Sequence, residues 1–230
     1  MHAMTKSKPP VNDVLSALPG DLSSLLFAKA RKVAIAADET LFLAGDEGDG
    51  CFLVEDGLLK ASVLSPSGSE RVLAIFGQGA VIGELSMIDG APRSASVTAL
   101  RPSKLNYVSR VAFESFGESN PDVYRYVTMV LVQRLRDTNG ALVATSFLSV
   151  KGRVARALLS LAEAFGRDVG GGRILVRQKV TQSDLAAMAG IARENVSRVL
   201  QDWMRRKLLS RLAGYYCLED KRAIEREADV

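Results

Sequence analysis

The 230-residue sequence predicts an α+β chain in three parts: a small antiparallel β-barrel or jelly roll, one long helix, and a helical domain closed by a β-hairpin. Three observations carry this. Short β-rich runs between about Val33 and Tyr107 are punctuated by glycines. No proline occurs after Pro121, where a single long helical pattern begins. Positive charge then gathers in the last third of the chain.

Met1 to Asn12 carries Lys6, Lys8 and Pro9-Pro10 without an apolar secretory core, so residues 1–12 read as a flexible, untargeted tail. The β-rich runs are Cys51–Val54, Leu58–Val63, Val72–Phe76 and Ser94–Thr98, set off by Gly45, Gly48, Gly50, Gly57, Gly68, Gly77 and Gly79. Even spacing with glycine turns is the mark of a small barrel or jelly roll. Asn120-Pro121 is a helix-start signal, and Asp122–Ser149 follows as one helix broken only by Gly140. Along it Tyr124, Thr128, Leu131, Leu135, Thr138, Leu142, Thr145 and Ser149 recur in steps of four and three, a coiled-coil seam that is half polar. From Val150 onward come a helix over Arg153–Phe165, a Gly170-Gly171-Gly172 turn, two shorter helical patterns and a terminal hairpin.

Composition excludes several chemistries. With 47% hydrophobic and 24% charged residues the chain is globular. The single histidine, His2, sits at the start of the chain, which rules out a Ser-His-Asp triad or a His-rich metal centre. Cys51 and Cys217 form no CxxC pair, against a zinc ribbon, an iron–sulfur cluster or a disulfide framework, and a reducing cytoplasm is the expected location. No apolar run approaches the ~18 residues of a membrane span.

Charge divides the chain. Residues 1–149 hold 14 Lys/Arg against 16 Asp/Glu, net −2, and residues 150–230 hold 16 against 10, net +6. Stopping at Leu218 leaves 13 against 5, net +8, the footprint of a polyanion binder, with a solvated basic face as the plainer alternative. Within this region Thr181-Gln182-Ser183-Asp184 is a capping box that opens a helix, Leu185 and Met188 mark its apolar face, and Gly190 supplies a sharp turn. In the next helix Val196, Val199 and Leu200 face inward, while Arg193, Glu194, Ser197 and Arg198 fall opposite. That is helix-turn-helix geometry. Arg can fork onto guanine and Glu can accept from cytosine in a major groove; the competing account makes Glu194 and Arg198 an i, i+4 surface pair worth ~0.2–0.5 kcal/mol. Leu209–Arg211 and Tyr215–Leu218, joined by Ala213-Gly214, add a β-wing.

A second signal is Gly83 to Ala95, where Glu84 and Arg93 stand nine residues apart in a turn-rich segment. One arginine can hold one phosphodiester bidentately, backbone N–H groups of a short helix after Glu84 can reach the same oxygens, and a carboxylate accepts well from a sugar hydroxyl. The plain alternative is an ion pair between Glu84 and Arg93.

The segment Gly83–Ala95 resembles the phosphate-binding cassette of cyclic-nucleotide-binding domains. Arg193-Glu194 with Arg198 resembles the recognition helix of the cyclic-AMP receptor protein (CRP/FNR) family. The likeness runs from about Leu15 to Leu218 and takes in Gly45-Asp46…Gly57 and Gly152-Arg153. It implies a cyclic-nucleotide-binding effector domain (13–119), a dimerisation helix (120–149) and a winged helix-turn-helix DNA-binding domain (150–230). The implied molecule is a non-enzymatic homodimer without a prosthetic group that responds to cAMP, with cGMP left open, binds a palindromic double-stranded operator and meets RNA polymerase, with no membrane contact. Glu84 would meet the ribose 2′-OH, Arg93 and Ser94 the cyclic phosphate, Gly83 and Leu85 the backbone lining, and Thr138 and Asn139 the base. Thr181, Gln182, Arg193, Glu194, Asn195, Ser197 and Arg198 would meet DNA. Two positions depart from the family pattern: Asn139 stands where serine is frequent, and Ala192 stands where a hydroxyl usually caps the recognition helix, a loss of ~1 kcal/mol. Two rivals remain: a ligand-independent or redox-responsive regulator of the same fold with Cys51 as sensor, and a nucleotide-responsive module that binds an acidic protein.

Overall fold

The computed structural model describes residues 25–28 and 30–229, the side chains of 144 and 145 excepted. His2, the 1–12 tail and the Thr145 side chain therefore lie outside the described residues. The chain divides near residue 136 into two compact units.

The first unit is a jelly roll. Strands β1 (Arg31–Ile35), β2 (Thr40–Phe42), β3 (Gly50–Leu64), β4 (Glu70–Phe76), β5 (Val81–Ile82) and β6 (Ser96–Ser109) form one antiparallel sheet with path β1-β6-β3-β4. β2 also pairs with β6, and β5 with β3. The path ends at β1 and β4, so the sheet is not a closed barrel. Residues such as Phe52, Val54, Leu59, Phe76, Ile82, Val97 and Leu105 fill its interior.

Two runs expected to be separate strands, Cys51–Val54 and Leu58–Val63, are a single 15-residue strand, β3. Its register against β6 shifts between Val54 and Leu59. The bulge forms at Gly57, whose φ of 132° puts any Cβ into Ser103, while the Ser103 hydroxyl accepts from Leu58 N at 3.1 Å. A bulge interrupts alternation without ending the strand, so the pattern reads as two pieces. The last expected run likewise belongs to a longer strand, β6, which starts at Ser96 rather than Ser94.

Between β5 and β6 lies a short helix, α1 (Glu84–Asp89). After β6 come α2 (Arg110–Ser119) and the long α3 (Asp122–Phe147). Val123, Tyr126 and Val130 are buried, whereas Leu135, Leu142, Val143 and Phe147 are exposed apolar residues. Ser149, expected as the last member of the seam, is outside α3. Its hydroxyl accepts from Gly152 N at 3.1 Å and caps the next helix, α4 (Val150–Phe165), which begins before Arg153.

The second unit packs α4, α5 (Gln182–Ala189), α6 (Arg193–Arg205) and α7 (Lys221–Glu227) with the sheet β7-β8-β10-β9. Here β7 is Gly166–Asp168, β8 Ile174–Val176, β9 Leu209–Leu212 and β10 Tyr215–Leu218. Trp203, Leu158, Leu185, Leu200, Tyr216 and Leu218 form its buried interior. None of the described helices is long and apolar enough to cross a membrane.

Candidate functional site

The cassette is assembled by main-chain hydrogen bonds before any side chain acts. Asp46 accepts from Leu43 N at 2.8 Å, tightening the turn at Gly45. That turn then holds the backbone of Arg93 from both sides: Gly45 N donates to Arg93 O, and Arg93 N donates to Asp46 O, each at 2.8 Å. Gly45-Asp46 thus fixes where Arg93 leaves the chain.

Arg93 is only 6% exposed. Its Nη1 donates to Gly50 O at 2.9 Å and to Gly83 O at 2.8 Å, and its guanidinium carbon lies 4.4 Å from the centroid of Phe42. Nε is buried with no partner. A Cβ on Gly48 would stand 2.5 Å from Nε, so glycine there leaves room beside that edge. Burial pulls the Arg93 guanidinium below its ordinary value, opposed by Tyr107, Asp49, Cys51 and Glu84. A desolvated cation without a contacting carboxylate is a favourable place for an anion.

Glu84 opens α1 after Gly83, whose φ of 83° suits glycine, and is 1% exposed. The expected alternative, an ion pair with Arg93, is not formed. Glu84 pairs instead with Arg134 of α3, through Arg134 Nη1 and Glu84 Oε1. Arg134 Nη2 also donates to Val81 O, and its guanidinium sits 5.1 Å from the Phe76 ring centroid. Glu84 Oε2 is buried without a partner. Gly83, Glu84, Leu85 and Arg93 are therefore brought together, with Leu85 and Ser94 exposed.

Arg134 was invisible in the sequence because fifty residues separate it from Glu84 and nothing in a helical pattern names a distant partner. Arg110 was missed too: its Nη2 donates to Ser86 O, tying α2 to α1. Phe42 and Gly48 lay inside turn-rich sequence whose glycine spacing was the only available signal.

Thr138 and Asn139 lie on α3 and are exposed. Cys51 is 2% exposed, and burial first, then Glu84, pushes its thiol up to about 12. A protonated, inaccessible thiol lacks the thiolate that redox sensing needs, which removes the support for Cys51 as sensor. Among the described residues no group of three His, Cys, Asp or Glu side chains could hold a metal ion.

The nucleic-acid face is built by α5 and α6. Thr181 caps α5, its hydroxyl accepting from Asp184 N at 3.1 Å and donating to Asp184 Oδ2 at 2.7 Å. Asp184 in turn accepts from Thr181 N at 2.8 Å, which completes the capping box. Gly190 at φ 63° turns the chain, and Ala192 stands at the N-cap of α6 with no side-chain bond, leaving the first N–H groups of α6 without a side-chain cap. Val196, Val199, Leu200 and Trp203 anchor α6. Arg193, Glu194 and Arg198 are exposed and Gln182, Asn195 and Ser197 half-buried. No ion pair joins Glu194 to Arg198 among the described contacts. The far end of α6 is clamped: Asp202 accepts from Lys151 at 3.3 Å, Arg205 at 3.1 Å and Arg206 at 3.5 Å, and Arg206 reaches Glu227 at 2.6 Å.

The family model of the cyclic nucleotide-binding domain matches residues 32–120, and that of the Crp-like helix-turn-helix domain matches residues 152–227. The chain is 33% identical over 189 residues to a CRP-like cAMP-activated global transcriptional regulator of Mycobacterium tuberculosis, covering 82% of this chain and 84% of the relative. It is 34% identical over 160 residues to the cyclic AMP receptor protein of Thermus thermophilus, covering 70% of each. A solved CRP-family transcriptional regulator, also of Thermus thermophilus, superposes with a TM-score of 0.75 at 26% identity, covering 86% of this chain and 97% of that one. The c-di-GMP-responsive global regulator CLP of Xanthomonas campestris shares the fold, with a TM-score of 0.74, 23% identity, and coverage of 86% and 98%.

Proposed function

Because the chain belongs to the CRP/FNR family of transcription regulators, with a cyclic-nucleotide-binding domain and a helix-turn-helix domain, we propose that it is a cAMP-gated DNA-binding homodimer of the cytoplasm. Members of this family regulate transcription and are not enzymes. The observation that carries the effector reading is the buried Arg93 guanidinium, with its Nε edge unpartnered, in the same wall as the unpartnered Oε2 of Glu84. A cyclic phosphodiester supplies the anion that Arg93 lacks, and a ribose 2′-OH supplies the donor that Oε2 lacks. Ser94 and the Leu85 N–H complete the phosphate cradle behind Gly83. cAMP is preferred as effector because the Mycobacterium tuberculosis relative is named for it.

In this proposal residues 13–119 bind the effector, 120–149 dimerise and 150–230 bind DNA. The exposed apolar residues of α3 supply the dimer seam, and Thr138 with Asn139 meets the base. Arg193, Glu194 and Arg198 read base edges, supported by Asn195 and Ser197. Gln182 contacts the backbone of the duplex, whereas Thr181, its hydroxyl engaged by Asp184, positions α5. Ligand shifts a population of domain orientations toward one that fits two half-sites ~34 Å apart, with RNA polymerase as the downstream partner.

The test is calorimetry with cAMP, cGMP and 2′-deoxy-cAMP, beside gel shifts on randomised duplexes. cAMP should bind most tightly. Loss of a hydrogen bond to a charged acceptor is worth about 1.5–3 kcal/mol, so the 2′-deoxy analogue should bind about 10–100-fold more weakly. Glu84→Gln should narrow that gap. Arg193→Ala should cost ~1–3 kcal/mol on the selected operator and relax one base position. Equal affinity for cAMP and its deoxy analogue, or an unchanged operator preference, would remove these assignments.

A further inference from the structure

Resting on the effector reading above, we propose that Tyr107 is a positioning residue for Arg93: its hydroxyl tethers the Asp49 carboxylate, a built-in rival of the cyclic phosphate, and so keeps the anion edge of Arg93 open. The first competitors for a buried guanidinium are the acids of its own chain. Two carboxylates, Asp49 and Glu84, lie near enough to oppose the loss of charge on Arg93. Glu84 is taken by Arg134, and no ion pair joins Asp49 to Arg93 among the described contacts. Asp49 is therefore the acid that needs restraint.

Its place in the chain brings it close. Gly48 and Gly50 flank Asp49, and both meet the guanidinium: a Cβ on Gly48 would stand 2.5 Å from Nε, and Gly50 O accepts from Nη1 at 2.9 Å. The main chain of Asp49 is pinned, its carbonyl accepting from Arg110 N at 2.5 Å, so only the exposed side chain has a choice of partner. It takes Tyr107, whose hydroxyl donates to Oδ1 at 2.5 Å. The Tyr107 ring is itself held: the Phe52 ring centroid lies 5.0 Å away, and the Arg31 guanidinium carbon sits 4.9 Å from the Tyr107 centroid. Burial first, then Asp49, pushes the hydroxyl up to about 12, so it stays a donor at neutral pH. Without the tether, Asp49 is a carboxylate joined to Arg93 by a very short span of chain, and such a group acts at high effective concentration. If it occupies Arg93 about nine-tenths of the time, apparent affinity for the cyclic phosphate falls about tenfold, through the fraction of free protein able to bind. The rival acts only in the free state, so association slows and dissociation does not.

The experiment measures cAMP binding to the full chain by calorimetry, and its rates by stopped flow with a fluorescent cAMP derivative. Tyr107→Phe keeps the ring between Arg31 and Phe52 and removes only the tether. It should bind about tenfold more weakly, with association slowed by that factor and dissociation unchanged. Asp49→Asn should bind at least as tightly as wild type, and adding it to Tyr107→Phe should restore wild-type affinity, a rescue that a merely structural role of the tyrosine does not allow. Full affinity in Tyr107→Phe overturns the proposal. So does a double variant as weak as Tyr107→Phe alone, an equal loss in Asp49→Asn alone, or a loss carried by faster dissociation. If wild type binds no cyclic nucleotide, the effector reading falls and this one with it; the other results bear on Tyr107 and Asp49 alone.

Discussion

The pair formed by Glu84 and Arg134 makes a sharp energetic prediction. Glu84 is 1% exposed and already has one unpartnered oxygen, whereas the Arg134 side chain is 22% exposed and keeps Val81 O and the Phe76 ring if Glu84 is neutralised. Arg134→Met preserves the apolar stem but strands the carboxylate, which should cost about 3–5 kcal/mol. Glu84→Gln keeps an acceptor of the same shape for Nη1 and leaves the better-solvated partner charged, so about 1–2 kcal/mol is expected. In the double variant no charge of this pair remains to be stranded, and the total should be about 2–3 kcal/mol, a coupling of about 2–4 kcal/mol. Because the chain forms two units, a single unfolding curve is ambiguous, and native-state hydrogen exchange at β3 and β6 amides is the suitable measure. Additive costs, or a loss below about 1 kcal/mol for Arg134→Met, would refute the reasoning.

Two further outcomes follow from local chemistry. The Cys51 thiol holds its proton to about 12 in the folded chain against 9.0 for its ordinary value, so between those pH values the folded state binds more protons than the unfolded one and stability falls as pH rises. Cys51→Ala should remove up to about 1.4 kcal/mol of that loss per pH unit, and iodoacetamide at pH 8 should leave native Cys51 unmodified; rapid alkylation would revive a redox role. Ala213 carries a side chain at a left-handed φ of 51° in a turn that favours Asn-Gly. Ala213→Asn should therefore stabilise the second unit by about 1 kcal/mol, read from exchange of β9 and β10 amides, and no gain would mean that the turn relaxes elsewhere.

Much of this was legible in the sequence, for reasons that differ by residue. The Thr181–Asp184 capping box, Gly190 and the inward Val196, Val199 and Leu200 are local, and local chemistry survives folding unchanged. Glu84 and Arg93 stood out because a short segment carried both. The partner of Glu84 did not, since pairing with Arg134 depends on how a distant helix meets the sheet. β7, β8 and α2 were also hidden, two being strands of three residues with little alternation to display. Gly57 misled for the opposite reason, because a bulge and a strand end look alike in one dimension.

The way Arg93 is seated bears on which residues its position can accept. Two of its five N–H groups are spent on the carbonyls of Gly50 and Gly83, and this fixes the plane of the guanidinium before any anion arrives. Lysine carries equal charge, yet a tetrahedral ammonium satisfying both carbonyls would have a single proton left and no flat edge to present. Shape, more than charge, restricts this site, and a conservative exchange there should be as damaging as a drastic one.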